Sequence, residues 1–339
     1  MCRIPCAPIA AVLLVLLTAC TAPPPASSAS TALPSATFAT PSATTSPSTV
    51  PTATPIMLPS FAQLSALSAT VVWALVAGTR LFRSSDRGDT WAERSVPPGL
   101  ANIEVSFADD TNGLLLSPGS PAGPCRTQTA SIWKTADGAA SWQQVTATGI
   151  AEPMCKRGLA SADATHAFFT AYGPNSGPVI YRTADGGRTW TASKPLPDPP
   201  GFTFTVQGGV VILPGRPRAF GSVVLVDAQA YGEKTRYVFR STDVGVTFAY
   251  ASTASTVEGT VAYATAPRWV QIVPPSSSRE TTDGGMTWHA FTTDYSQAAP
   301  VAGDVVFADP LVGYATVRGA IQRTVDGGAH WVVIKTPGT

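Results

Sequence analysis

Beyond residue 60 the hydrophobic positions come in short runs separated by polar and Gly-containing turns, at no point long enough for a helix of several turns. Runs such as LFRS (81–84), VIYRT (179–183), YVFRS (237–241), TWTAS (189–193) and WVVIK (331–335) read as strands. The pattern predicts an all-β domain. The N-terminal 60 residues behave differently. An unbroken apolar run from Ile9 to Leu17 follows the early cation Arg3, and small residues follow the run, as in a secretory signal. At nine residues the run is far short of the roughly 20 needed to span a bilayer as a helix.

From Thr21 to Ser60 the chain is almost wholly Pro, Ser, Thr and Ala, with no charge before Arg80 after Arg3. Such a segment has too little apolar surface to order itself and is expected to act as a stalk. In polyproline geometry forty residues reach up to ~120 Å. The expected organisation is a cleaved signal over 1–19, a Cys20-headed stalk over 20–55 and a folded domain over 56–339.

Composition narrows the function. Of 339 residues 13% are charged, with 22 Lys and Arg against 21 Asp and Glu, so the chain lacks the basic excess that neutralises phosphates; nucleic acid is excluded as a partner. Thirty-one Pro and 29 Gly suit a turn-rich β protein. Leu17-Thr18-Ala19-Cys20 resembles the lipobox of bacterial lipoprotein signals, and the resemblance implies a thioether-linked diacylglycerol on Cys20 and a membrane-lipid anchor facing outside the cytoplasm. Cys2 and Cys6 leave with the signal, so Cys125 and Cys155 remain, either bridged or as two free thiols.

Six segments repeat the template Ser/Thr, any, Asp, any, Gly, any, Thr, aromatic. They are SSDRGDTW (84–91), TADGAASW (135–142), TADGGRTW (183–190), STDVGVTF (241–248), TTDGGMTW (281–288) and TVDGGAHW (324–331). Their aspartates, Asp86, Asp137, Asp185, Asp243, Asp283 and Asp326, are 51, 48, 58, 40 and 43 residues apart, a mean of 48. Each copy lies between two strand-like runs and reads as a hairpin turn: the carboxylate accepts turn amides, the Gly takes positive φ, and the aromatic packs between sheets. A second echo, SFADDTNGLLL (106–116), SADATHAFFT (161–170) and FADPLVGYATV (307–317), places Asp109, Asp163 and Asp309 in earlier turns.

The boxes resemble the Asp box, or bacterial neuraminidase repeat, and with the second echo the chain looks similar to the photosystem II stability and assembly factor family within the sialidase-like group. The resemblance implies a β-propeller of four-stranded blades, each box on the turn between a blade's third and fourth strands. Seven blades is the alternative that this family suggests. Six repeats of 48 need about 288 residues, residues 56–339 supply 284, and no gap between boxes hides another blade, so six are expected. The fold also places the connections holding Cys125 and Cys155 on one face, which favours the disulfide.

Candidate chemistry is sparse. Sialidases hold a substrate carboxylate with three arginines, the first in a Phe/Tyr-Arg-Ile-Pro motif; here only Cys2-Arg3-Ile4-Pro5 imitates it, inside the signal. Arg216-Pro217-Arg218 reads as a basic loop. Basic residues precede five of the six boxes, Arg83, Lys134, Arg182, Arg240 and Arg323, a structural habit in a ring with one centre. Asp227 with Glu233, or Glu258 with Glu280, are the carboxylate pairs that a glycosidase reading would use. His166, His289 and His330 fall in different repeats, without metal-ligand spacing. Neither a phosphate-binding loop nor a nucleophile elbow is present. No catalytic residue, metal or cofactor is therefore assigned. The expectation is a non-enzymatic binding scaffold or assembly factor for an envelope protein or glycan, with a sialidase-like glycoside hydrolase or a carbohydrate-binding module as alternatives. The same-face loops 117–131, 149–158, 194–201, 227–236 and 273–279, and the aromatics Tyr172, Tyr231 and Trp269, are the recognition candidates.

Overall fold

The computed structural model describes residues 62–335 apart from 124, 175, 204–211, 231–232, 234, 255–259, 274–276, 296–303 and 318–319. The signal, Cys20, the stalk, Tyr231 and Glu258 lie outside the described residues.

Six antiparallel sheets follow one another along the chain. Blade 1 comprises β1 (Ala62–Ala66), β2 (Val72–Val76), β3 (Arg80–Ser84) and β4 (Ala92–Arg94), and blade 2 comprises β5 (Glu104–Phe107), β6 (Gly113–Pro118), β7 (Ala130–Thr135) and β8 (Gln143–Val145). Blade 3 holds β9 (Cys155–Ser161), β10 (Ala167–Gly173), β11 (Ser176–Thr183) and β12 (Thr191–Ala192). Blade 4 holds β13 (Ile212–Pro214), β14 (Arg218–Phe220), β15 (Val223–Ala230), β16 (Arg236–Ser241) and β17 (Ala249–Ala254). Blade 5 has β18 (Thr260–Tyr263), β19 (Trp269–Ile272), β20 (Arg279–Thr281) and β21 (His289–Ala290); blade 6 has β22 (Val305–Phe307), β23 (Gly313–Val317), β24 (Ala320–Thr324) and β25 (Val332–Ile334). The architecture is an all-β six-bladed propeller.

Second strands are buried on both faces, β2 (VWALV) throughout, because each blade is covered by a neighbour on either side. Outer strands such as β4 and β8 are largely exposed. The apolar core divides accordingly into six clusters, one per seam. Five join consecutive blades. The last packs Leu64, Val72 and Phe82 of blade 1 on Val312, Tyr314, Ile321 and Ile334 of blade 6 and closes the ring. Among the described residues no strand is shared across that seam. It carries instead the bond from Leu64 N to Asp304 Oδ2 at 2.7 Å and that from Trp91 Nε1 to the Lys335 carbonyl at 2.9 Å.

Blade 4 departs from the four-strand pattern. Its inner strand is split into β13 and β14, both paired with β15. Pro217 has no N–H for the ladder, and Gly215 lets the backbone approach β15 so closely that a Cβ there would sit 2.2 Å from Asp227 Oδ1.

Candidate functional site

Every box sits between the third and fourth strands of its blade and is built in the same way. In box 1 the Ser84 hydroxyl donates to Asp86 Oδ1 at 2.8 Å and accepts the Gly88 amide at 2.7 Å; Thr90 donates its amide to Oδ1 at 2.8 Å and its hydroxyl to Oδ2 at 2.6 Å. The fourth and fifth box residues are left-handed throughout, which glycine supplies freely and Arg87 (φ 65), Ala139 (φ 62) and Val244 (φ 57) adopt under strain. Hydroxyl and amide donors hold the carboxyls of Asp137 and Asp283 down to about 2. In box 6, His330 replaces Thr, its Nδ1 lies 2.6 Å from Asp326 Oδ2, and the pair raises the His330 pKa. The echo aspartate Asp109 caps its turn by accepting the amides of Thr111 and Asn112. These carboxylates are engaged in turns.

Box aromatics tie blades together: Trp142 Nε1 donates to the Ser95 carbonyl of blade 1 and Trp288 Nε1 to Ser252 Oγ of blade 4. Phe248, in box 4, has no such donor.

Two of the basic residues ahead of the boxes also reach the following blade. Arg83 pairs with Asp110 at 3.2 Å, and Arg323 donates to the Arg87 carbonyl at 2.7 Å and meets Asp89 at 3.2 Å. In blade 5 the position is Glu280; it holds Arg268, whose guanidinium bonds the Pro310 and Gly327 carbonyls of blade 6 at 3.0 and 2.9 Å. Arg268 thus performs the task from the turn that leads into β19, a role with no sequence signal beyond the exchanged charge.

Arg216 and Arg218 are not the basic loop expected. They cross the centre of the ring from the break in blade 4: Arg216 Nη1 bonds the Leu64 carbonyl at 2.9 Å and lies 3.6 Å from Asp304, while Arg218 Nη2 bonds the Phe307 carbonyl at 2.6 Å. They clamp both sides of the closing seam.

Cys125 and Cys155 form a disulfide between the β6–β7 connection and the first residue of β9. Beside it Lys156, 3% exposed, donates to four carbonyls, those of Glu152 at 2.7 Å and Met154 at 2.8 Å among them. Burial pulls its pKa down to about 8, which leaves it charged at neutral pH. Sequence reading missed this lysine, since the carbonyls converge only once the loop is folded.

The glycosidase candidates are dispersed. Asp227 is buried and ion-paired with Arg236, and Glu280 is held by Arg268. The expected 227–236 loop shrinks, because 227–230 belong to β15 and Arg236 opens β16. Trp269 is fully buried and packs edge-on against Tyr263 and Trp288, whereas Tyr172 is half-buried on β10. Among the described residues no three His, Cys, Asp or Glu side chains converge as metal ligands. A groove of about 380 Å³ opens between blades 4 and 5, lined by Arg240, Phe248, Tyr250, Gly284 and Met286 with their neighbours.

No family profile matches the chain. A Paenibacillus sp xyloglucanase is 28% identical over 141 residues, which is 33% of this chain and 13% of the xyloglucanase. Among solved structures, YCF48 from Cyanidioschyzon merolae superposes with a TM-score of 0.51 at 16% identity, covering 81% of this chain and 86% of that one. The Hadza microbial sialidase Hz136 gives 0.50 at 13% identity, with 81% of this chain and 65% of the sialidase covered. At these identities the likeness establishes a shared propeller fold.

Proposed function

We propose that the chain is a lipoprotein anchored through Cys20, facing outside the cytoplasm, whose propeller binds another envelope component without catalysing a reaction. The observation that supports the non-catalytic part of this reading is the engagement of two candidate carboxylates within the fold, Asp227 by Arg236 and Glu280 by Arg268. The match to a xyloglucanase supports glycoside hydrolysis as a second reading.

Two experiments test this. Replacement of Cys20 by Ser should move the full-length protein from the membrane to the soluble extracytoplasmic fraction; retention in the membrane overturns the anchor. Affinity capture from native envelopes with the full chain, beside glycan arrays and turnover assays on xyloglucan and sialosides, should yield a stoichiometric partner and no turnover. Turnover above the uncatalysed rate overturns the non-catalytic role.

A further inference from the structure

The outer rim of blade 4 differs from the other five. Outer strands elsewhere are two or three residues long, and short edges resist pairing with other chains. β17 has six residues, AYASTA, with neither charge nor Pro to guard it, and among the described residues no strand pairs with its outer side. Its first half, Ala249 to Ala251, forms one wall of the groove between blades 4 and 5.

Arg240 lies in that groove opposite Ala249 in the β16–β17 register. Unlike Arg83 and Arg323, it has no hydrogen bond or ion pair among the described residues; its Nε is buried without a partner, as is that of Arg83. Comparison of the boxes explains why. The acid facing Arg323 is Asp89, the sixth residue of box 1, and the sixth residue of box 5 is Met286, 79% exposed. Among the described residues Lys134 and Arg182 likewise lack an ion pair, but their blades end in the short β8 and β12.

An open strand edge, a guanidinium without an ion pair and an exposed thioether thus meet in one place, beside the half-buried rings of Phe248 and Tyr250; Asp283 also lines the groove, but its carboxylate is taken up by Thr281 and Thr287 of its own turn. The edge offers alternating amides and carbonyls that another backbone matches in register and a sugar does not, and the free guanidinium calls for a carboxylate. We propose that β17 receives an extended segment of a partner protein as an added strand, with an Asp or Glu of that segment on Arg240 and an apolar side chain against Met286 and Phe248. This rests on the binding-scaffold reading and gives it a site and a partner chemistry.

The test pans random 12-residue displayed peptides against the full chain, with Arg240→Gln and Met286→Asp as variants. Met286→Asp restores the acid that box 1 carries and should neutralise Arg240 from within. Both changes lie at the groove surface, so the melting temperatures should stay at the wild-type value. Enriched peptides should carry an acidic residue within two positions of an apolar one, bind both variants at least tenfold more weakly, and slow hydrogen exchange across 249–254. No enrichment, or enriched peptides that bind the variants as tightly as wild type, overturns the proposal. Envelope capture with the same variants separates the two levels: a partner retained equally by both variants sinks the β17 site and leaves the scaffold standing, whereas no partner with wild type sinks the scaffold.

Discussion

Replacing Thr281 with Val isolates the hydroxyl on which an Asp box turns. Thr281 is fully buried; its Oγ1 donates to Asp283 Oδ1 at 2.7 Å and accepts the Gly285 amide at 2.8 Å. Val has nearly the same shape, so little cavity forms. The change strands the Gly285 N–H where water has no room: a Cβ on Gly285 would already lie 2.5 Å from Ser252 Cβ and 2.6 Å from Trp269 Cζ3. A buried donor left unpaired costs about 1–3 kcal/mol, and the midpoint of this construction is about 2 kcal/mol. At an unfolding entropy of about 2.1 cal/mol/K per residue, the 284 residues of 56–339 give about 1.7 °C of Tm per kcal/mol, so Thr281→Val should melt roughly 3–4 °C below wild type. Thr281→Ser is the control: it keeps the hydroxyl and loses one methyl, about 0.8 kcal/mol of apolar burial. Circular dichroism melts at neutral pH compare the three. If Val melts no lower than Ser, the hydroxyl does not anchor the turn and the account of the box fails.

Val244→Gly should raise stability by about 1 kcal/mol in urea unfolding, because it relieves a β-branched residue at φ 57; a loss would mean that the Val244 side chain contributes more through packing than its backbone strain costs. Changing both Cys125 and Cys155 to Ala frees a loop of 30 residues and should lower stability by about 3.6 kcal/mol in the chain-entropy treatment, read by the same unfolding curves. The box carboxyls of Asp137, Asp283 and Asp326, held near 2 when folded, contribute stability above their unfolded range; it should drain away as pH falls from about 4 towards 2, measurable as a declining Tm. His330 has the opposite sign: its pKa is raised by Asp326, so its contribution is complete below its unfolded pKa and lost as pH rises through the folded one. Its NMR titration should shift to lower pH in Asp326→Asn, and an unmoved curve would deny the pair.

Where information is local, the sequence carried it. A box closes within eight residues, its hydroxyl, carboxylate and left-handed pair following in fixed order, so six copies gave both the blade count and the turn on which each aspartate sits. The arginines at the centre were illegible for the opposite reason. Arg216 meets Leu64 from 152 positions away and Arg218 meets Phe307 from 89, and no nearby pattern announces such partners. Arg268 escaped notice because Glu280 exchanged the charge at the repeating position and moved the cation to the turn that leads into β19. Lys156 depends on carbonyls that converge only after the loop has closed. The open rim of blade 4 was half legible: the run AYASTA looks like a strand, but its standing as an edge is a property of the ring.

The closing seam also fixes an order of events. Every blade is a meander of neighbouring strands, which forms quickly because its contacts are close in sequence. The face of blade 1 bearing Leu64, Val72 and Phe82 is the exception, since its cover begins only at Val306. Until blade 6 is in place, that face has nothing to cover it. The nascent ring is therefore an open arc with an oily leading end, and the first blade to be made is the last to be sheltered.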